Sequence, residues 1–162
     1  MSTSTIGGTR TTTATTTTSI YPTTQRGRIT RTAAVTTFAA LTANLAIFAL
    51  ARARDVNFEF PKPGSGNGTQ TVNAGTVVVI TMTAMMVGWV IIGLTARHHR
   101  PTLGTLAIII GGIFAVVSAI APLTLDASLS VKLSLASMHL IAGAFYVAGV
   151  AWLRRTNAGA SQ

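Results

Sequence analysis

Cysteine is absent from this 162-residue chain, which excludes disulfide frameworks, thiolate zinc sites and thiol redox chemistry. The quinone-linked disulfide chemistry that four-helix membrane proteins can host goes with it. Charge is scarce as well: Asp, Glu, Lys and Arg make up 9% of the residues, against about 25% in soluble domains. The acids are Asp55, Glu59 and Asp126. None lies inside an apolar run, so the buried carboxylate that proton-coupled exporters use is missing. There is no Gly-Xaa-Ser-Xaa-Gly elbow and no His-Glu-Xaa-Xaa-His pair, which removes two common hydrolytic motifs. These gaps predict a non-enzymatic protein with no catalytic residues, no metal and no cofactor.

What the chain does have is apolar length. Apolar residues are 49% of the total, and the mean hydropathy is +0.54. They gather in four runs, residues 32–51, 75–96, 103–121 and 129–153. At about 1.5 Å per residue, each is long enough for a bilayer core of about 30 Å, with tilt absorbing differences in length. The predicted fold is all-α: a polytopic four-transmembrane-helix bundle over residues 32–153. Residues 1–31, rich in threonine, cannot bury apolar surface and are expected to form a disordered cytoplasmic tail. Residues 154–162 are expected to be a short cytoplasmic tail. A cleaved signal peptide is rejected, because the leading tail is too long and the first run exceeds a signal core of about 7–15 residues.

The net charge of +9 does not point to nucleic acid, because the basic residues flank the apolar runs. Arg28 and Arg31, Arg52 and Arg54, Arg97 and Arg100, and Arg154 and Arg155 form such borders, the pattern of interfacial anchoring. With four spans, both termini share a side. That side holds eight basic residues and the other holds four, Arg52, Arg54, Lys62 and Lys132. The positive-inside rule then puts both termini in the cytoplasm of a cell (plasma) membrane.

Between the first two runs, Val56, Phe58 and Phe60 alternate with polar residues, the signature of a short extended or interfacial segment. Prolines and glycines then break regular structure. The Asn67-Gly68-Thr69 glycosylation match is too short to act on. Arg97-His98-His99-Arg100-Pro101 reads as a tight polar hairpin. Its two histidines lack a third metal ligand nearby and are read as a solvated turn. Met82, Met85, Met86 and Met138 near His139 raise the idea of a soft metal, but methionine is also ordinary core filler. Gly111, Ala115 and Ala119 recur at four-residue spacing, a ridge that lets a neighbouring helix approach closely.

Polar side chains inside the runs are the candidate site. Asn44 lies seven residues before Ala51, and His139 seven after Lys132. Both are therefore expected about 10 Å below the same surface. Thr81 and Thr83 reach a similar depth and Ser118 a slightly shallower one, so the four helices contribute to one polar layer. Lys132, His139 and Tyr146 share a helix face at heptad spacing. The candidate intramembrane polar site is thus Asn44, Thr81, Ser118, His139 and Tyr146, with Asn44 and His139 expected to face each other closely enough to bond directly or through water. The plainer reading is that a neutral histidine bonds to Asn44 or a threonine and locks helix register.

Asn44-Leu45, Val56-Asn57-Phe58, Gln70-Thr71-Val72, Pro122-Leu123, Asp126 and Leu135-Ala136-Ser137-Met138-His139-Leu140 resemble a group of small bacterial membrane proteins. These are the uncharacterised domain-of-unknown-function 6069 family. The resemblance covers residues 33–153 and implies a four-helix membrane protein; it carries over no activity, ligand or site residue.

The leading expectation is a non-enzymatic structural or partner-binding membrane component. The lipid bilayer surrounds it, and its candidate partners are a second copy or another membrane protein. The alternative is a small transporter or ligand-binding membrane protein using the outer-half polar layer around His139. A closed core with His139 fully bonded favours the first; a cavity open to the outer side and reaching His139 favours the second.

Overall fold

A computed structural model describes residues 21–61, 68–96 and 101–158. Helix α1 runs over Tyr21–Arg52, α2 over Ala74–Thr95, α3 over Pro101–Ile120 and α4 over Leu129–Ala158. A two-stranded hairpin, β1 Glu59–Pro61 with β2 Thr69–Thr71, lies between α1 and α2, and a 3-10 turn, Ala121–Thr124, follows α3. All four helices are long and apolar enough to cross a membrane. The expected hairpin around His98 and His99 falls on residues 97–100, outside those described.

The helix ends follow local chemistry. Asn73 caps α2, its side-chain oxygen accepting from the Thr76 N–H at 2.9 Å, and Ser128 serves α4 through the Val131 N–H at 3.4 Å. Each satisfies a donor that the first turn leaves open. Helix α1 ends in a Schellman turn: Val56 N–H bonds Ala51 C=O at 3.1 Å and Asp55 N–H bonds Arg52 C=O at 3.1 Å. Asp55 takes the left-handed conformation that this turn requires, φ 58°.

Two boundaries differ from expectation. Helix α1 already begins at Tyr21, inside the stretch expected to be a tail. Pro22 stands in its first turn, where a missing N–H costs nothing, and the membrane run beyond supplies the nucleus that a threonine-rich segment lacks. Helix α4 likewise continues through Arg154 and Arg155 to Ala158, since nothing in the sequence breaks it there. Basic side chains also suit a helix C-terminus.

Helix α4 is central, packing along α3 on one side and α1 on the other, and α1 packs along α2. By contrast α2 and α3, though consecutive, meet at only a few points, and α2 scarcely meets α4. The ridge on α3 faces α4 as its spacing predicts. Ala115 and Ala119 are buried, and a Cβ built on Gly143 of α4 would overlap the Ala115 methyl. That approach needs a glycine.

The segment expected to be extended or interfacial is extended, and it packs against the bundle. Phe58 and Phe60 are buried with Ala51, Val72, Val77, Val131 and Met138, and Phe58 stacks at a tilt on Phe48, centroids 5.0 Å apart. Together they plug one end of the bundle, called here the hairpin end. A second cluster, with Ala40, Met85, Trp89, Ile92, Val150 and Leu153, fills the end nearer the termini. Outside, the helices present Val79, Val87, Ile91, Ile110, Ile113 and Phe114, all half or more exposed. That apolar outside, with buried Asn44 and Thr81 inside, is the arrangement a lipid solvent demands.

Candidate functional site

Because α2 and α3 stand apart, they leave a cavity of about 510 Å³ between them, floored by α4 and α1. All five polar residues singled out from the sequence, Asn44, Thr81, Ser118, His139 and Tyr146, line it. Helical periodicity decides which threonine takes part: Thr81 is buried with Val77 and Met85 at four-residue spacing, while Thr83 turns outward. Ile80, Val87 and Ile91 on α2 and Ile110 and Phe114 on α3 line the cavity too. Each is at least half exposed, so these residues form a mouth that opens sideways between the two helices, toward the space lipid would occupy.

Several hydroxyls in the spans bond a carbonyl of their own helix, as Thr36 does to Thr32 at 2.9 Å and Ser137 to Ser134 at 2.8 Å. This local bond is how short polar side chains live in hydrocarbon. Ser118 does the same, donating to the Ala115 carbonyl at 3.0 Å. Asn44 cannot satisfy both ends of its amide that way. Its Nδ2 donates across the helix interface to Thr81 Oγ1 at 3.0 Å, and its Oδ1 is buried without a partner. Leaving a buried acceptor open costs about 1–3 kcal/mol, so this atom marks where a donor belongs.

His139 turns inward to its own helix, Nδ1 lying 2.8 Å from the Leu135 carbonyl. A carbonyl only accepts, so Nδ1 carries the proton, and in the neutral ring Nε2 is an acceptor. Asn44 and His139, expected to bond directly or through water, share no direct hydrogen bond. Both line one cavity, but the Asn44 amide is engaged by Thr81 and the His139 Nδ1–H by a backbone carbonyl that an i−4 position places within reach.

Tyr146 stands in the cavity wall between α2 and α3. One edge of its ring lies against Gly88 of α2 and the other against Gly111 of α3. A Cβ on Gly88 would stand 2.7 Å from the ring and one on Gly111 would overlap it. The ring also meets Trp89 edge-on, centroids 5.8 Å apart and planes at 66°. Trp89 packs over Gly149, and its indole N–H is buried without an acceptor. The cavity was not legible from the sequence, but the glycines hinted at it: Gly88 and Gly111 sit in mid-span, where a glycine signals close approach of something bulky.

Among the described residues no Lys, Arg, Asp or Glu lines the cavity, and no group of three or more His, Asp or Glu gathers into a metal site. Met82 and Met86 are exposed, while Met85 and Met138 line the same cavity as His139.

The family model described as Family of unknown function (DUF6069) matches residues 24–156, and the chain belongs to that family. No curated protein and no solved structure matches it.

Proposed function

We propose that this DUF6069 protein is a non-enzymatic, multi-pass component of the cell membrane that works by holding a hydrophobic partner in the cleft between α2 and α3. Both termini lie on the cytoplasmic side in this reading, which rests on eight basic residues against four. One observation carries it: two consecutive, apolar helices stand apart over a cavity of about 510 Å³. Pockets of about 300–1,000 Å³ with apolar walls and a few convergent polar groups are typical binding sites.

The cleft's surroundings favour retention over passage. The Phe58 and Phe60 plug lies at one end, and the cluster with Trp89, Ile92 and Leu153 fills the other. A non-enzymatic role fits the lining, where His139 has no carboxylate to orient it.

Native mass spectrometry of the protein released from its own membrane tests the reading. The intact chain should retain an apolar molecule that an Ala142→Trp variant, filled at the cavity wall, does not. Equal retention by both, or none beyond bulk phospholipid, overturns it.

A further inference from the structure

We infer that Tyr146 is the strut that holds α2 and α3 apart, a positioning residue whose ring sets the width of the cleft and whose loss lets the two helices close on each other. The inference goes beyond what the cleft holds. It makes the opening a property of the chain itself, present before any partner arrives.

Tyr146 belongs to α4 and turns opposite edges of its ring to the two walls. The Cδ2–Cε2 edge meets Gly88 of α2, and the Cδ1–Cε1 edge meets Gly111 of α3. A Cβ at either glycine would intrude on the ring, so the ring rests directly on both backbones. The ring is rigid, and it is clamped: Trp89 meets it edge-on with centroids 5.8 Å apart and itself packs over Gly149. A glycine in these spans does not by itself create such a contact. Gly93 of α2 and Gly112 of α3 have nothing within 4 Å of a built Cβ.

The two walls are shaped to meet. Ala84 and Gly88 on α2, and Ala107, Gly111 and Ala115 on α3, recur at four-residue spacing and all line the gap. Small residues at that spacing let helices in lipid approach until their backbones touch, and packing contacts drive the approach. Yet α2 and α3 meet at only a few points. Misfit between the walls does not explain the gap; a ring standing on both of them does.

Spin labels at Val87→Cys and Ile110→Cys, two positions of the mouth, test this in the cysteine-free full chain held in phosphatidylcholine nanodiscs. The label–label distance is read by double electron–electron resonance. Tyr146→Ala should shift it shorter. Tyr146→Phe, which keeps the ring and loses only the hydroxyl, should leave it in place. Gly88→Ala keeps the ring and adds a methyl that would stand 2.7 Å from it, so the distance should lengthen; this arm stands even if Tyr146→Ala misfolds. An unchanged distance in Tyr146→Ala or in Gly88→Ala overturns the strut, because packing of α2 on α1 would then set the gap. Equal shortening in Tyr146→Phe and Tyr146→Ala overturns it too, since the hydroxyl rather than the ring would hold the helices. Native mass spectrometry of Tyr146→Ala separates this inference from the reading of the cleft as a binding site. A variant that neither closes nor loses the apolar molecule sinks the strut alone. One that closes and still retains the molecule sinks the binding reading alone.

Discussion

The Asn44 amide of α1 donates to the Thr81 hydroxyl of α2 at 3.0 Å, and the same Asn44, a residue of the cavity lining, leaves its buried carbonyl oxygen without a partner. One side chain thus fixes the register of two helices and supplies the floor of the cleft. A double-mutant cycle with Asn44→Leu and Thr81→Val separates these roles. The coupling should be about 0.6 kcal/mol and no more than about 2 kcal/mol, read from equilibrium unfolding in detergent. A coupling of zero would mean that the bond does not hold the register.

Gly143 lies so close to Ala115 that a single added methyl overlaps it. Gly143→Ala should destabilise the α3–α4 interface by about 1–3 kcal/mol, the usual cost of overpacking. Gly112→Ala should be close to neutral, since nothing lies within 4 Å of its built Cβ. Thermal unfolding of the two variants side by side checks the contrast.

Phe58 is fully buried at the hairpin end, and its carbonyl accepts from the Val72 N–H at 3.0 Å. Phe58→Ala should cost about 3–5 kcal/mol if the cavity does not collapse. Amide exchange in β2 and the start of α2 should accelerate while the middle of α4 stays protected. Unchanged exchange in β2 would show that the hairpin is held by its own pairing rather than by the plug.

Asp55 occupies the left-handed position of the α1 Schellman turn at φ 58°. Glycine meets that conformation without a Cβ penalty. Asp55→Gly should stabilise the protein by up to about 1 kcal/mol, seen as a higher melting temperature. A lower one would mean that the carboxylate contributes more than the backbone strain costs.

The absence of cysteine makes the orientation directly measurable. Single cysteines at Gln70 and at Thr156, probed with a membrane-impermeant maleimide in intact cells, should label at Gln70 and stay dark at Thr156 until the cells are opened. The reverse pattern would invert the proposed topology.

How much of this was legible beforehand differs by level. The number of spans, their helical state and most of their ends follow from local chemistry in the sequence. Uninterrupted apolar length compels a helix, because hydrocarbon offers no water to the backbone. Asn73 and Ser128 start helices by capping them. The polar set was legible for the same reason, since a polar residue in such a run stands out. Five were picked out, and all five line one cavity.

Neighbours were another matter. In lipid, the inside and outside of a helix are both apolar: buried Val77 and Ile92 and exposed Val79 and Ile91 of α2 are the same kinds of residue. No period distinguishes the faces, so the sequence could not say that α4 would lie between α1 and α3, or that α2 would stand off from α3. Nor could depth alone choose between Thr81 and His139 as the partner of Asn44. Close packing decided both. Gly143 lets α3 approach α4, Tyr146 spans the gap between Gly88 and Gly111, and Asn44 turns to the one hydroxyl that this arrangement brings within 3.0 Å. The sequence by itself determined a four-span membrane bundle with a polar layer; only the tertiary structure decided that the layer floors an open cleft with one acceptor unmet.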